Sequence, residues 1–402
     1  MYRHILLPLL AFLLSTSYSL AQQTEVATEN CSPSVDLPYP SNTKLPNPFT
    51  FANGNQVKTV KDWACRKREI QGLLEKYELG PLPGGGTTSA TLDGDRLNVT
   101  VTDNGKTISF LAIIILPTEG QAPFPAIISF GQHPTIPIPP GVAVIVMPTD
   151  MIASQQALFS RGYGLFYDIY GTNHSAGAMV AWTWGVGKLI DALESLSPAV
   201  TQINPKRLGA TGCSYNAKGA LTISALEPRI VLTIAQEGGT GGASCWRIAE
   251  ALSKKGSNVQ TARQIVTENV WFGTSFDAFA DKTDLLPFDH HMLAGLIAPR
   301  GLLLLENTDL TALGPEAQWG CMRAAREVWR ALDVGDRVGF SQVGGHRRCQ
   351  FPEKQRPILE AYINRFLKDE KVNTAFFETD KEGGYASWVD SEWINWQTPQ
   401  LR

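Results

Sequence analysis

Unbroken apolar runs alternating with helix-patterned segments constrain this 402-residue chain more than any other feature. Arg207–Thr211 is followed by Asn216–Ala225, and Ile230–Ala235 by the region of Trp246. Further on, Gly301–Leu305 is followed by Glu316–Leu332, and Val338–Val343 by Glu353–Leu367. Apolar runs without polar alternation suit strands buried on both faces. Their alternation with helices predicts βαβ units, hence a three-layer α/β sandwich around a mostly parallel, right-handed sheet. Pro125–Phe130 and Val142–Met147 are runs of the same kind, and Ala178–Leu196 reads as a helix. Ahead of them, Ser89–Leu92, Arg96–Thr102 and Thr107–Leu116 read as strands, the last two joined by Asn104-Gly105, a strong hairpin signal. Val60–Tyr77 reads as a helix with Trp63, Ile70, Leu73 and Leu74 on one side, ended by Leu79-Gly-Pro-Leu-Pro-Gly-Gly-Gly. The Trp-rich tail Phe376–Trp396 is expected to pack on the domain surface.

The first residues, Met-Tyr-Arg-His, the apolar block Ile5–Leu14 and small residues at Ser19 and Ala21 describe a secretory signal peptide over residues 1–21. Residues 22–402 are then expected to form one domain, since no linker long enough to divide them is found. The six cysteines (Cys31, Cys65, Cys213, Cys245, Cys321, Cys349) are an even set in an exported chain, which favours disulfides, and the absence of a CxxC pair argues against zinc. Asn30-Cys-Ser, Asn98-Val-Thr and Asn173-His-Ser are N-glycosylation acceptors. The formal net charge of −3 and the lack of basic runs or basic amphipathic helices leave nothing to hold nucleic acid or a membrane surface. A secreted monomer without metal or organic cofactor is expected.

Chemistry concentrates at Gly212-Cys213-Ser214, between a predicted strand and a predicted helix. An α/β-hydrolase holds its nucleophilic serine on such a turn, although the usual G-x-S-x-G is imperfect here. Among six histidines, His290 and His291 read as structural, and His346 follows the last predicted strand on a Gly-Gly loop, where the base of that fold belongs. If Ser214 and His346 touch, Cys213 and Cys349 are forced together. The acid is open between Glu237, after the first strand beyond the serine, and Glu306 or Asp309, after the second. Gly238-Gly-Thr-Gly-Gly lacks nucleotide-loop spacing and reads as a tight loop that lets a substrate approach.

Several longer motifs resemble the fungal glucuronoyl esterases of carbohydrate esterase family fifteen. They are Gly212-Cys-Ser-Tyr-Asn-Ala-Lys-Gly219, Ala235-Gln-Glu-Gly238, Gly241-Gly-Ala-Ser-Cys-Trp-Arg247, Asn258-Val-Gln-Thr261, Glu268-Asn-Val-Trp271, Leu286-Pro-Phe-Asp-His-His291 and Gly344-Gly-His-Arg-Arg-Cys-Gln-Phe-Pro352. The resemblance runs from about Cys31 to the tail. It implies an α/β-hydrolase fold, Ser214 as nucleophile, Glu237 as acid, His346 as base, and Lys218, Gln260 and Glu268 as sugar contacts. It also implies disulfides Cys31–Cys65, Cys213–Cys349 and Cys245–Cys321. The implied substrate is the ester between 4-O-methyl-glucuronic acid side groups of glucuronoxylan and lignin alcohols. Two positions depart from the family. Tyr215 stands where it usually has arginine, leaving a backbone N–H but no guanidinium for the oxyanion, with Arg347 or Arg348 as candidates to supply the charge. Ala312 stands where it has a sugar-contacting tryptophan. Alternative readings are an esterase of the same mechanism with a shifted substrate, a carbohydrate-binding homologue of low activity, and a structural protein of lignocellulose.

Overall fold

The computed structural model describes Cys31, Asp36, residues 39–381, 384, 385 and 388–402; the expected signal peptide and Asn30 lie outside the described residues. Pro33–Arg402 clusters as one unit, built on a ten-stranded sheet in the order β1-β2-β3-β5-β4-β6-β7-β8-β9-β10. β1 (Thr87–Asp93), β2 (Arg96–Asp103) and β3 (Lys106–Ile115) form an antiparallel meander, and β3 pairs antiparallel with β5 (Ala143–Met147). The Asn104-Gly105 turn forms as expected. Both residues are left-handed (φ 49° and 71°) and Asp103 pairs with Lys106 across them, the twist a two-residue hairpin requires.

From β5 onward the sheet is parallel, through β4 (Phe124–Phe130), β6 (Ile203–Cys213), β7 (Ile230–Gln236), β8 (Gly301–Glu306), β9 (Val338–Gln342) and β10 (Phe377–Thr379). Alternate residues feed two cores. Ile127, Leu232, Ile234, Leu303 and Leu305 pack with Leu359, Tyr362 and Ile363 of the helix Arg356–Phe366. Ala126, Ile128, Leu302 and Leu304 face the other layer, with Trp182 and Leu189 of the helix Ala178–Ser195 and Leu221 of the helix Tyr215–Leu226. Each fully buried aliphatic chain contributes about 1.5–3 kcal/mol, so the apolar runs hold the sheet between its helical layers. This is the α/β-hydrolase arrangement expected from the sequence.

Two details differ from expectation. The helix beginning at Val60 closes at Leu74 and continues as a π-turn through Glu75–Leu79, which aims Glu78 into the interior. In the tail, Phe377–Thr379 adds a strand to the edge of β9, while Trp388, Trp393 and Trp396 pack against the core as surface cover.

The carboxyl ends of β6, β7, β8 and β9 lie side by side. Gly212 pairs with Ala235, Gln236 with Leu305, and Glu306 with Gln342. Ser214, Glu237 and Glu306 thus emerge at one level of the sheet, where open parallel sheets collect their ligands.

Candidate active site

Ser214 sits between β6 and the helix Tyr215–Leu226 with φ 62° and ψ −125°, a strained turn that presents its hydroxyl. Gly212 makes the turn feasible, because a Cβ there would lie 2.5 Å from the Asn216 carbonyl oxygen. Tyr215 is the first helical residue, so its N–H has no acceptor within the helix and points outward at the positive end of the helix dipole.

Glu237 leaves β7 with a left-handed backbone (φ 55°) and a fully buried side chain. Its Oε2 accepts the Cys349 N–H at 2.7 Å, and its Oε1 lies 3.5 Å from His346 Nδ1. Burial pushes the Glu237 carboxyl above the usual carboxylate range, while the Cys349 N–H and the His346 and Arg348 charges pull the other way. The two other acids considered from the sequence are occupied nearby. Glu306 accepts the Gly238 N–H at 3.2 Å and the Gln318 amide at 2.6 Å, and burial holds its carboxyl well above the ordinary value. Asp309 accepts the Gly345 N–H at 2.6 Å and so braces the loop that carries His346.

His346 is placed by that loop and by Asn307, whose amide donates to the His346 carbonyl at 3.1 Å. Its ring nitrogens lie 3.1 Å from two carbonyl oxygens, Nδ1 from Arg347 and Nε2 from Val343. The Ser214 hydroxyl accepts its hydrogen bond from the Arg348 guanidinium rather than from His346. The staple conditional on the serine and histidine lying together is present: Cys213 and Cys349 are bonded, with Cα atoms 5.7 Å apart. Cys245–Cys321 is present as well, and Cys31 and Cys65 are each disulfide-bonded. Cys213, Glu237 and Cys349 bring three potential metal-ligand atoms together, but two of them are sulfurs bonded to each other.

Lys218 lies one turn into the helix and is buried. Its amine donates to the Gly238 carbonyl at 2.7 Å and to that of Thr240. Burial, and next the Arg348 charge, push it down to about 7. Gln260 and Glu268 bracket the helix Ala262–Glu268, Gln260 half-buried and Glu268 exposed. The Gln260 N–H donates to the carbonyl of Ala312, which is exposed. Trp271, not singled out from the sequence, lies near parallel to Tyr215 (centroids 6.2 Å apart, planes 17°), with Lys218 Nζ 5.3 Å from its centroid. Its only sequence signal is the motif that carries Glu268. Asn98 and Asn173 are both exposed.

The glycine loop 238–242 corrects the sequence reading. It is buried rather than open to a substrate, because its carbonyls are needed as acceptors. Gly238 and Thr240 serve Lys218, and Gly242 accepts from His290 Nδ1 at 2.9 Å. His290 Nε2 in turn meets Glu78 at 2.7 Å, and Glu78 also accepts the Trp246 indole N–H at 3.0 Å. Burial alone would push His290 down, but the Glu78 carboxylate outweighs it and the value is raised. His291, bonded to the Pro46 carbonyl at 2.8 Å, is pushed by burial to about 4 and stays neutral. Both histidines are structural, as expected. Where His290 is protonated, Glu78→Gln should therefore cost about 3–5 kcal/mol, because it removes the carboxylate that pairs the buried cation. A raised folded value means that the pair's contribution is complete below the unfolded histidine value of about 6.5 and is lost as pH rises through the folded one. Urea unfolding at pH 5.5 and pH 8 measures this, and the variant's deficit should be larger at pH 5.5.

A sequence model of glucuronyl esterases from fungi matches residues 99–333. The chain is 48% identical over 379 residues to 4-O-methyl-glucuronoyl methylesterase 1 of Phanerochaete chrysosporium, covering 92% of this chain and 79% of that protein. It is 46% identical over 362 residues to the 4-O-methyl-glucuronoyl methylesterase of Hypocrea jecorina, covering 90% and 77%. Among solved structures, the glucuronoyl esterase catalytic domain of Hypocrea jecorina superposes with a TM-score of 0.88 at 46% identity, covering 92% of this chain and 100% of that one. A serine-to-alanine variant of the Sporotrichum thermophile glucuronoyl esterase, in complex with methyl 4-O-methyl-β-D-glucopyranuronate, superposes with a TM-score of 0.89 at 45% identity, covering 93% and 100%.

Proposed function

Because this chain belongs to the fungal glucuronoyl esterases and is a carboxylic ester hydrolase, we propose that it cleaves the ester between 4-O-methyl-D-glucuronic acid side groups of glucuronoxylan and lignin alcohols. Ser214, Glu237 and His346 act as nucleophile, acid and base. The observation that supports this is that Ser214, Glu237 and His346 follow β6, β7 and β9 at one edge of the sheet, with the serine and histidine loops tied by Cys213–Cys349 and the Glu237 carboxylate 3.5 Å from His346.

In the first step the His346 imidazole turns from the Val343 carbonyl and takes the Ser214 proton as the oxygen bonds to the glucuronoyl carbon. The carbonyl π pair moves onto oxygen, where the Tyr215 N–H meets it. Collapse expels the alcohol oxygen, which receives the proton from His346. Water then repeats the sequence on the acyl-enzyme and frees glucuronic acid. Glu237 orients the imidazole and offsets its charge while the proton is held. Lys218, Gln260 and Glu268 hold the sugar, Lys218 from beside the Trp271 ring. The chain is exported after removal of residues 1–21, acts as a monomer, and carries glycans at Asn30, Asn98 and Asn173. Its disulfides suit an oxidising compartment. No described helix is long and apolar enough to cross a membrane.

A second reading keeps the mechanism and shifts the substrate. Exposed Ala312 beside Gln260, and Tyr215 stacked near Trp271, favour it. Assay of the purified protein on benzyl D-glucuronate, methyl D-glucuronate and simple acetyl esters separates the two. Glucuronates should be hydrolysed with the higher kcat/KM, and preference for acetyl esters would overturn the first reading.

A further inference from the structure

The cation nearest the reacting oxygen comes from the histidine's loop. Arg348 is exposed, yet its guanidinium donates to the Ser214 hydroxyl. Its neighbour Cys349 is bonded to Cys213, the residue before Ser214, and is locked further by its N–H on Glu237 and a left-handed backbone (φ 60°). The loop therefore holds the base of the Arg348 side chain at a fixed distance from the serine. The other candidates near the oxygen are spent or neutral. Lys218 has its amine on two loop carbonyls, and Tyr215 offers a phenol lying near parallel to Trp271.

We propose that Arg348 is a catalytic residue, the electrostatic stabiliser of the negative charge that Ser214 attack creates. The inference rests on the esterase reading above. As the Ser214 proton passes to His346 and the new O–C bond forms, the displaced π pair settles on an oxygen two bonds from Oγ. A forked guanidinium on Oγ has further N–H groups to offer that oxygen, so its attraction grows as the charge develops. Only interactions stronger in the transition state than in the ground state accelerate the step. A guanidinium is thus held at the reacting oxygen from across the disulfide.

The test compares wild type, Arg348→Met, Arg348→Lys and the double variant Arg348→Met/Tyr215→Arg on benzyl D-glucuronate, with kcat and KM separated. Arg348→Met should lower kcat by roughly 10²–10³-fold, the range for loss of one oxyanion donor, with KM little moved, and Arg348→Lys should retain more than the methionine variant. A kcat within twofold of wild type, or a loss carried by KM, overturns the proposal. Should Arg348→Met lower the melting temperature, the double variant decides. It places a guanidinium at the first helical position, and a recovery of kcat over Arg348→Met supports the proposal, whereas no recovery overturns it. Absence of turnover in wild type would instead defeat the esterase reading, so the two failures are distinguishable.

Discussion

Ser214→Ala is expected to abolish turnover of benzyl D-glucuronate, lowering kcat by roughly 10⁶-fold, as loss of a triad nucleophile does elsewhere. The hydroxyl oxygen is the atom to which the acyl group is transferred, and the side chain that reaches it, Arg348, is a cation and cannot replace it as nucleophile. The substitution leaves the fold alone. Ser214 is only half-buried, alanine carries the same backbone cost at φ 62°, and the one side-chain hydrogen bond lost is to exposed Arg348. The variant should therefore melt within a few degrees of wild type and still bind methyl 4-O-methyl-glucuronate, the compound held by the serine-to-alanine variant of the related Sporotrichum enzyme. Equal benzyl alcohol release by wild type and variant would overturn the enzymatic reading and leave a carbohydrate-binding one.

Glu237→Gln carries the second large effect. An amide in place of the carboxylate removes the charge that offsets the imidazolium and favours the wrong tautomer of His346, which in the serine protease triad costs about 10⁴-fold in kcat. The Cys349 N–H retains an oxygen acceptor, so the loop should hold and the loss should fall on kcat. Glu306→Gln is the control. Burial holds the Glu306 carboxyl well above its ordinary range, so a neutral amide of the same shape keeps the Gly238 N–H on its oxygen and loses only the hydrogen bond accepted from the Gln318 amide. Its kcat should fall far less than that of Glu237→Gln, because no triad charge is lost. If Glu306→Gln proves the more damaging, the acid has been misassigned.

These two glutamates show where the sequence stopped being legible. Strand–helix alternation, the Asn104-Gly105 turn and the serine after β6 were readable because each rests on local rules of burial, φ and turn geometry. The acid was not. Gln236 pairs with Leu305, so Glu237 and Glu306 leave neighbouring strands at the same level, and spacing along the chain cannot separate them. Their partners do, Cys349 and His346 for one and Gly238 and Gln318 for the other. The glycine loop departs from its sequence reading for a related reason. Five small residues look open in sequence, while burial depends on what reaches their carbonyls, here Lys218 from one helix and His290 from another. Phe377–Thr379 carries no strand signal, because a three-residue edge strand has almost no pattern of its own and exists through pairing with β9. The choice between Arg347 and Arg348 turns on which side chain the loop points at the serine, a matter of backbone direction at one residue.

The Cys213–Cys349 bridge spans 136 residues of sequence and joins the residue before the serine to the loop that carries both the histidine and Arg348. Without that bond, chain connectivity alone gives these groups no short path to one another. A cell that makes this protein in a thiol-reducing cytosol should accumulate chains with a well-formed sheet and an unassembled catalytic centre. Soluble yield and circular dichroism would then misreport the amount of working enzyme, and titration of the reactive serine with an organophosphonate ester would be the sounder measure of a preparation.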